Sequence, residues 1–397
     1  MLILLRRLKK LLVAKRIMDN MTKTKLHDIA QCGQSLWIDN INRSMIVSGK
    51  LKLLIDQGLR GQTSNPTIFK QAISSSTDYD AKIQQLAGSG KSTFEIYDEL
   101  TIKDVQDAAD LFRGVYESTK GLDGYVSLEI NPKLGNELES QLKEGMRLWQ
   151  KLNRPNVMIK VPATKNGLGV VEGLIAQGIN VNVTLIFSAE QYSQVVWAYF
   201  KGLNHLVQSG GNIRQVHSVA SIFVSRIDTS IDKKLKELIA KAVDPKDSAA
   251  LKAIGGLAAV KNCEIIYHKF QKSFGSSEFK ALKLKGANIQ RVLWASTGTK
   301  DPQYSDIKYI TELIAADTVN TVPDKTLEAV LDHGVARLSM PGDVAGAQKT
   351  IEQLRLKGID VGMVCNQLLD DGLAAFEQSF EELMACIEKK SRLLCAK

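Results

Sequence analysis

From residue 23 onward, short apolar or alternating runs take turns with longer stretches whose apolar positions recur every three or four residues. The short runs have the period of strands and the long ones that of amphipathic helices. Their alternation predicts βα units around a parallel sheet. The strand-like runs are SLWIDN (35–40), LRGQTSNPTIF (59–69, a strand and its loop, the strand ended by Ser-Asn-Pro), YVSLEINP (125–132), RPNVMIKVPAT (154–164), NVNVTLIFS (180–188), HSVASIFVSRID (217–228), RVLWASTGTK (291–300) and DTVNTVP (317–323). Two helical insertions interrupt the rhythm. One covers roughly 78–119, after the second strand, with Ile102, Val105, Ala109, Phe112 and Val115 at helical spacing. The other covers about 229–289, after the sixth, and reads as two amphipathic helices joined by charged loops. Beyond the eighth strand the chain is mostly helical, with Leu368, Leu369, Phe376, Phe380 and Leu383 on a core face. Eight strands with helices between them predict an α/β fold. It is a single (β/α)8 TIM barrel over 23–397, with insertions after strands two and six and a C-terminal helical segment.

The two faces of the strands differ in a way ordinary barrels do not show. In 125–132, Val126, Leu128 and Ile130 share one face, while Tyr125, Ser127 and Glu129 share the other. The same division gives Leu36 and Ile38 against Asp39, Val157, Ile159 and Val161 against Lys160, and Val181, Val183 and Leu185 against Asn182 and Thr184. The apolar side suits packing on helices. The polar side then faces the barrel interior, where bulky branched residues are the rule and charge is costly unless it is paired or chemically employed. These polar residues also sit near the C-terminal ends of their strands, where barrel active sites form.

Lys160, bracketed by Pro155 and Pro162 among Met, Ile and Val, is the centre of the pattern. Burial disfavours an ammonium, which is how an amine becomes a nucleophile toward carbonyl carbon. The plainer reading is a strand-end lysine whose stem packs while its head reaches water. A lysine with two carboxylates, Glu129 and Asp39, fits carbonyl chemistry through an imine, whose iminium holds the electrons of a broken neighbouring bond as an enamine. Such a reaction needs proton transfers at two places, which two separately placed acids or bases supply. Arg226 and Lys300, after strands six and seven, offer charge for a phosphate. Each residue alone has a blander role: Asp39 a helix cap, Glu129 a structural ion pair, Asn65 turn chemistry before Pro66, Ser221 a small strand residue, the basic residues solvated loop charges.

Composition narrows the alternatives. The 397 residues are 44% hydrophobic and 24% charged, as in an ordinary globular enzyme. The net charge of +9 is concentrated at the start: residues 1–17 hold six basic residues and no acidic one, and without them 46 basic residues face 43 acidic. The body is nearly balanced and carries no basic stripe with interleaved aromatics, so no nucleic-acid partner is expected. Residues 1–22 read as a basic extension, poorly ordered or reflecting a misassigned start, with Met18 and Met21 as later starts. Nothing after them reaches the roughly 18 apolar residues of a membrane span. Five scattered cysteines with no C-x-x-C argue for a reducing, cytoplasmic setting, and the five histidines show no metal-ligand spacing. No metal and no cofactor are expected. GSGKST (88–93) lacks the first glycine of a phosphate loop, with Gln85 in its place, and follows no strand; it reads as a helix connection.

The series LWIDN, TSNPTIF, VSLEINP, NVMIKVPAT, NVNVTLIFS, SVASIFVSRID and WASTGTKDPQYSD resembles the transaldolase family, in its longer bacterial form, in order across roughly 24–390. The resemblance implies transfer of a dihydroxyacetone unit between sugar phosphates in the non-oxidative pentose phosphate pathway, with phosphorylated sugars as partners and a monomer or homodimer as the unit. It implies that Lys160 forms the Schiff base, that Glu129 and Thr184 relay protons through water, and that Asp39 is the acid/base at the fourth carbon's hydroxyl. Asn65 and Asn182 would hold substrate hydroxyls and the imine, Ser221 the terminal hydroxyl, and Arg226 the phosphate. A second family arginine has no counterpart; Lys300 stands nearest, as a point charge. Related fructose 6-phosphate aldolases are shorter and tend to carry Gln at position 129 and Tyr at position 223, where this chain has Glu129 and Phe223 in the substrate pocket. A non-catalytic sugar-phosphate-binding barrel is the other alternative.

Overall fold

In the computed structural model, residues 23–134 and 137–395 are described; the basic segment 1–22 lies outside them. Seven strands make one sheet: β1 (Gln34–Ile38), β2 (Val126–Glu129), β3 (Val157–Pro162), β4 (Val181–Ile186), β5 (Ser218–Phe223), β6 (Gln290–Ala295) and β7 (Thr318–Val322). Their order is β1-β7-β6-β5-β4-β3-β2, and every pairing is parallel. All seven are buried along their length, apart from partly exposed Pro162 at the end of β3, as expected for strands covered by helices outside and side chains within.

In the predicted second strand and its loop, 59–69, the strand ends before Pro66, as the Ser-Asn-Pro sequence indicates, and it is very short. Only Gln62 makes β-bridges, to Ile38 of β1 and Val126 of β2, the two edges of the sheet. Around it the Ile38 N–H donates to the Gly61 carbonyl and the Thr63 N–H to the Ile38 carbonyl, while the Gln62 N–H donates to the Tyr125 carbonyl. Asn65 and Pro66 explain the truncation. The Asn65 side chain accepts from the Ile68 N–H, and Pro66 takes the first position of a helix, Pro66–Ser74, where its missing N–H is harmless.

The first insertion holds helices Asp80–Gly88 and Thr93–Ser118, joined where GSGKST was read as a connection; Ser92 and Glu95 form the capping box of the second. The second insertion is four helices, Ser225–Lys241, Pro245–Ala253, Ala258–Phe274 and Ser277–Leu284, rather than two. The breaks follow local chemistry: Asp244 caps a helix opened by Pro245, Gly256 takes a φ of +68°, and Ser276 caps the last helix. The final helix, Val361–Cys395, packs on Pro66–Ser74 and Asp80–Gly88, with Phe376, Phe380 and Leu383 buried and Leu368 and Leu369 partly so.

The N-terminal ends of the strands are closed by a buried polar cluster. Arg291 pairs with Asp123 at 3.0 Å and donates to Ser35 Oγ at 2.7 Å, and Ser35 Oγ and Trp37 Nε1 both donate to Asp123. A buried pair with this many hydrogen bonds retains its charge, although the buried Arg291 Nε has no hydrogen-bond partner among the described residues. The polar residues singled out in the sequence lie toward the opposite end of the strands. Among the described residues no helix is long and apolar enough to cross a membrane.

Candidate active site

Glu129, Lys160 and Asn182 are register partners on β2, β3 and β4. Register partners in a parallel sheet project side by side from the same face, so the sheet itself brings these three together. The Lys160 ammonium nitrogen donates to the Ser64 carbonyl at 3.0 Å and lies 3.5 Å from Glu129 Oε2. Each of the two side chains is only 5% exposed. Burial pushes the Glu129 carboxyl up to about 7, offset in part by Lys160 and reinforced by the charge of Asp39. A carboxyl poised there exchanges protons in either direction near neutrality.

Asp39 follows β1 directly, its N–H held by the Val322 carbonyl. Thr63 Oγ1 donates to its Oδ1 at 2.7 Å and lies at the same distance from Thr321 Oγ1. Burial raises this carboxyl above the usual aspartate range, against the pull of Lys160, the Thr63 hydrogen bond, Arg226 and Lys300. It caps no helix; Asn42 does that for Arg43–Val47. Asn182 is locked from both sides, donating to Ser127 Oγ at 3.0 Å and accepting from Ser221 Oγ at 2.7 Å. Next to it β4 shifts register against β5 between Val183 and Ile186, and Leu185 takes a φ of +59°. Such a conformation is uncommon for a branched residue, and bulges of this kind re-aim side chains beside active sites. The buried Thr184 hydroxyl there has no hydrogen-bond partner and lines the central cavity.

That cavity, of about 130 Å³, is lined by eight of the ten residues singled out in the sequence: Asp39, Asn65, Lys160, Thr184, Ser221, Phe223, Arg226 and Lys300. Glu129 reaches Lys160 from outside it, and Asn182 sits beneath the Ser221 hydroxyl. Arg226 is in the first turn of Ser225–Lys241, not on the strand, with its guanidinium carbon 5.2 Å from the Phe223 ring centroid. Desolvation lowers its pKa, opposed by Asp39 and Asp371. Lys300 is exposed at the rim. A larger open cleft of about 710 Å³ adjoins at Lys300, but its buried acids are already engaged. Asp228 accepts from the Ala259 N–H and Tyr309, and Asp232 from the Gly256 N–H and Tyr304. Among the described residues no three His, Cys, Asp or Glu side chains gather as metal ligands.

A buried lysine between two perturbed carboxyls is a Schiff-base arrangement, and the comparison with known proteins agrees with the geometry. The family model described as transaldolase/fructose-6-phosphate aldolase matches residues 36–387. This chain belongs to the transaldolase/fructose-6-phosphate aldolase family. It is 44% identical over 373 residues to transaldolase 2 of Nostoc sp. (strain PCC 7120), covering 93% of this chain and 98% of that one. It is 42% identical over 377 residues to the transaldolase of Trichodesmium erythraeum, covering 94% and 99%. With the Saccharopolyspora erythraea transaldolase the figures are 41% over 371 residues, 93% and 98%. All ten candidate residues lie inside the family match.

Other residues of this transaldolase-family site escaped the sequence reading. The Ser64 carbonyl holds Lys160, and Ser127 orients Asn182. Thr63 and Thr321 hold Asp39, and Phe376 sits with its ring centroid 5.7 Å from Lys160 Nζ. A backbone carbonyl carries no side-chain signal, and Phe376 has the spacing of a core residue. Ser127 and Thr63 were readable in principle: Ser127 shares the polar face with Glu129, and Thr63 stands two residues before Asn65.

Proposed function

We propose that this protein is a transaldolase. It moves a dihydroxyacetone unit from sedoheptulose 7-phosphate or fructose 6-phosphate to glyceraldehyde 3-phosphate or erythrose 4-phosphate, in the cytoplasm, as a monomer or homodimer. The observation that carries this reading is the buried Lys160 amine with Glu129 3.5 Å away and Asp39 across the cavity, both carboxyls raised by burial. The fold we infer is the eight-staved barrel, with the Gln62 segment as the stave between β1 and β2.

In this mechanism Lys160 Nζ adds to the ketone carbon, and Glu129, through water held with Thr184, gives and takes the protons that turn carbinolamine into iminium. Asp39 then removes the proton of the hydroxyl on the fourth carbon. The bond between the third and fourth carbons breaks, its electrons pass to the iminium as an enamine, and the aldose phosphate leaves. The enamine carbon attacks the incoming aldehyde, Asp39 returns its proton to the new hydroxyl, and hydrolysis frees Lys160. Asn65, Asn182 and Ser221 hold hydroxyls along the three-carbon unit, and Arg226 and Lys300 hold the phosphate. Favouring transfer over simple cleavage are Glu129, Phe223 and the long chain, each unlike the aldolase pattern.

The test is product analysis with fructose 6-phosphate and erythrose 4-phosphate. Sedoheptulose 7-phosphate and glyceraldehyde 3-phosphate in equal amounts are expected. Free dihydroxyacetone at the same rate with or without acceptor would make the protein an aldolase, and no turnover would leave a binding barrel.

A further inference from the structure

Glu129 and Lys160 touch, yet they open onto different spaces. Lys160 lines the cavity with Asp39, Thr184 and Arg226. Glu129 lines a second one, of about 100 Å³, with Asn131, Gln141, Pro162, Leu373 and Glu377. Phe376 is common to both. Its side chain is 4% exposed, and it descends from the C-terminal helix to lie beside Lys160. The second cavity has room for several water molecules and polar walls to bind them, which is what buried water requires. Glu377 at its edge is exposed, so the space reaches solvent. Glu129 Oε2 is buried, with the Lys160 ammonium 3.5 Å away and no closer polar partner among the described residues.

We propose that Phe376 is a partition: it separates a water cavity serving Glu129 from the cavity holding the sugar phosphate, and so determines how often the three-carbon intermediate is transferred rather than hydrolysed. The inference rests on the Schiff-base reading above. After cleavage, Lys160 carries an enamine that must wait for an aldehyde. Hydrolysis instead begins when the enamine carbon takes a proton, giving the iminium. A water oxygen then bonds to the iminium carbon as that water gives a proton to a base, and the C–N bond breaks as nitrogen is protonated. Overall one water is consumed: its oxygen becomes the ketone oxygen, one hydrogen ends on carbon and one on the Lys160 nitrogen. Excluding water from the waiting intermediate suppresses this loss. With the ring in place, water of the second cavity reaches the imine only by way of Glu129, the group that needs it for imine formation. With the ring removed, the two spaces merge and the water of the second cavity reaches the intermediate directly, beside Lys160. Phe376 is thus a positioning residue acting on water, not a catalytic one.

The experiment measures, in Phe376→Leu and Phe376→Ala, the ratio of dihydroxyacetone released to dihydroxyacetone transferred. Fructose 6-phosphate is the donor, at fixed erythrose 4-phosphate. The ratio is expected to rise from wild type through Leu to Ala, reaching about ten-fold for Ala by loss of water exclusion. A simple packing defect would lower release and transfer together and leave the ratio alone; that result in whichever variants fold overturns the partition. Borohydride trapping on the same samples separates the two levels of inference. No adduct on wild-type Lys160 overturns the Schiff-base reading itself, while a normal adduct with an unchanged ratio overturns only the role of Phe376.

Discussion

Replacing Glu129 by Gln removes a buried carboxyl while keeping its shape, and it should separate stability from activity. The carboxyl is raised from its ordinary 4.5 to about 7, so the folded state holds this proton more tightly than the unfolded chain does. Between those values the folded protein binds more protons than the unfolded one, and stability from this group is lost as pH rises. At about 1.4 kcal/mol per unit, the wild type loses roughly 2 to 3 kcal/mol from Glu129 between pH 5 and pH 8. The absolute offset between the proteins also contains the lost ion pair, which makes the pH dependence of the difference the informative quantity. Denaturant unfolding of both proteins at pH 5 and pH 8 measures it. The Gln variant should gain roughly 2 to 3 kcal/mol on the wild type over that range, while its turnover falls and the limb of the wild-type pH–rate profile near 7 disappears. A difference in stability that does not change with pH would mean that Glu129 ionises as an ordinary surface glutamate, and the proton-relay argument would fail with it.

Asp39→Asn should lower kcat by about 10²- to 10⁴-fold, as for loss of a general acid/base, while borohydride still traps the uncleaved fructose 6-phosphate on Lys160; loss of trapping as well would place Asp39 in imine formation instead. Arg226→Ala should raise KM for sugar phosphates by about ten- to a hundred-fold, the worth of a hydrogen bond to a charged group. Lys300→Ala, at an exposed rim position, should change it by no more than about five-fold; equal effects in steady-state kinetics would refute the ranking. Gly61→Ala would place a methyl group 2.5 Å from Trp37 Cε2. It should cost about 1–3 kcal/mol in denaturant unfolding by overpacking, and no loss would mean that the Gln62 segment is free to move.

The alternation of polar and apolar faces made the strands and the residues of the site legible, because side chains on a strand must choose between the helices outside and the interior within. Lys160, Glu129 and Asn182 stand together in the fold because the sheet's register puts them there. In 59–69 the Ser-Asn-Pro sequence marked the end of the strand, but only the fold shows how little pairs before it and that Asn65 caps the helix that follows. The insertion 229–289 misled because amphipathic periodicity persists across caps and turns that divide it into four helices. The bulge at Leu185, the Ser64 carbonyl and the seating of Phe376 depend on tertiary packing, and no local pattern announces them.

The central claim is that Lys160 bonds covalently to substrate. Borohydride reduction in the presence of fructose 6-phosphate, followed by peptide mass spectrometry, tests it most directly. The account predicts a reduced three-carbon adduct on Lys160, absent in Lys160→Ala and discharged when erythrose 4-phosphate is added before the reductant. A folded, wild-type protein that gains no adduct, or gains it on another lysine, would contradict the account.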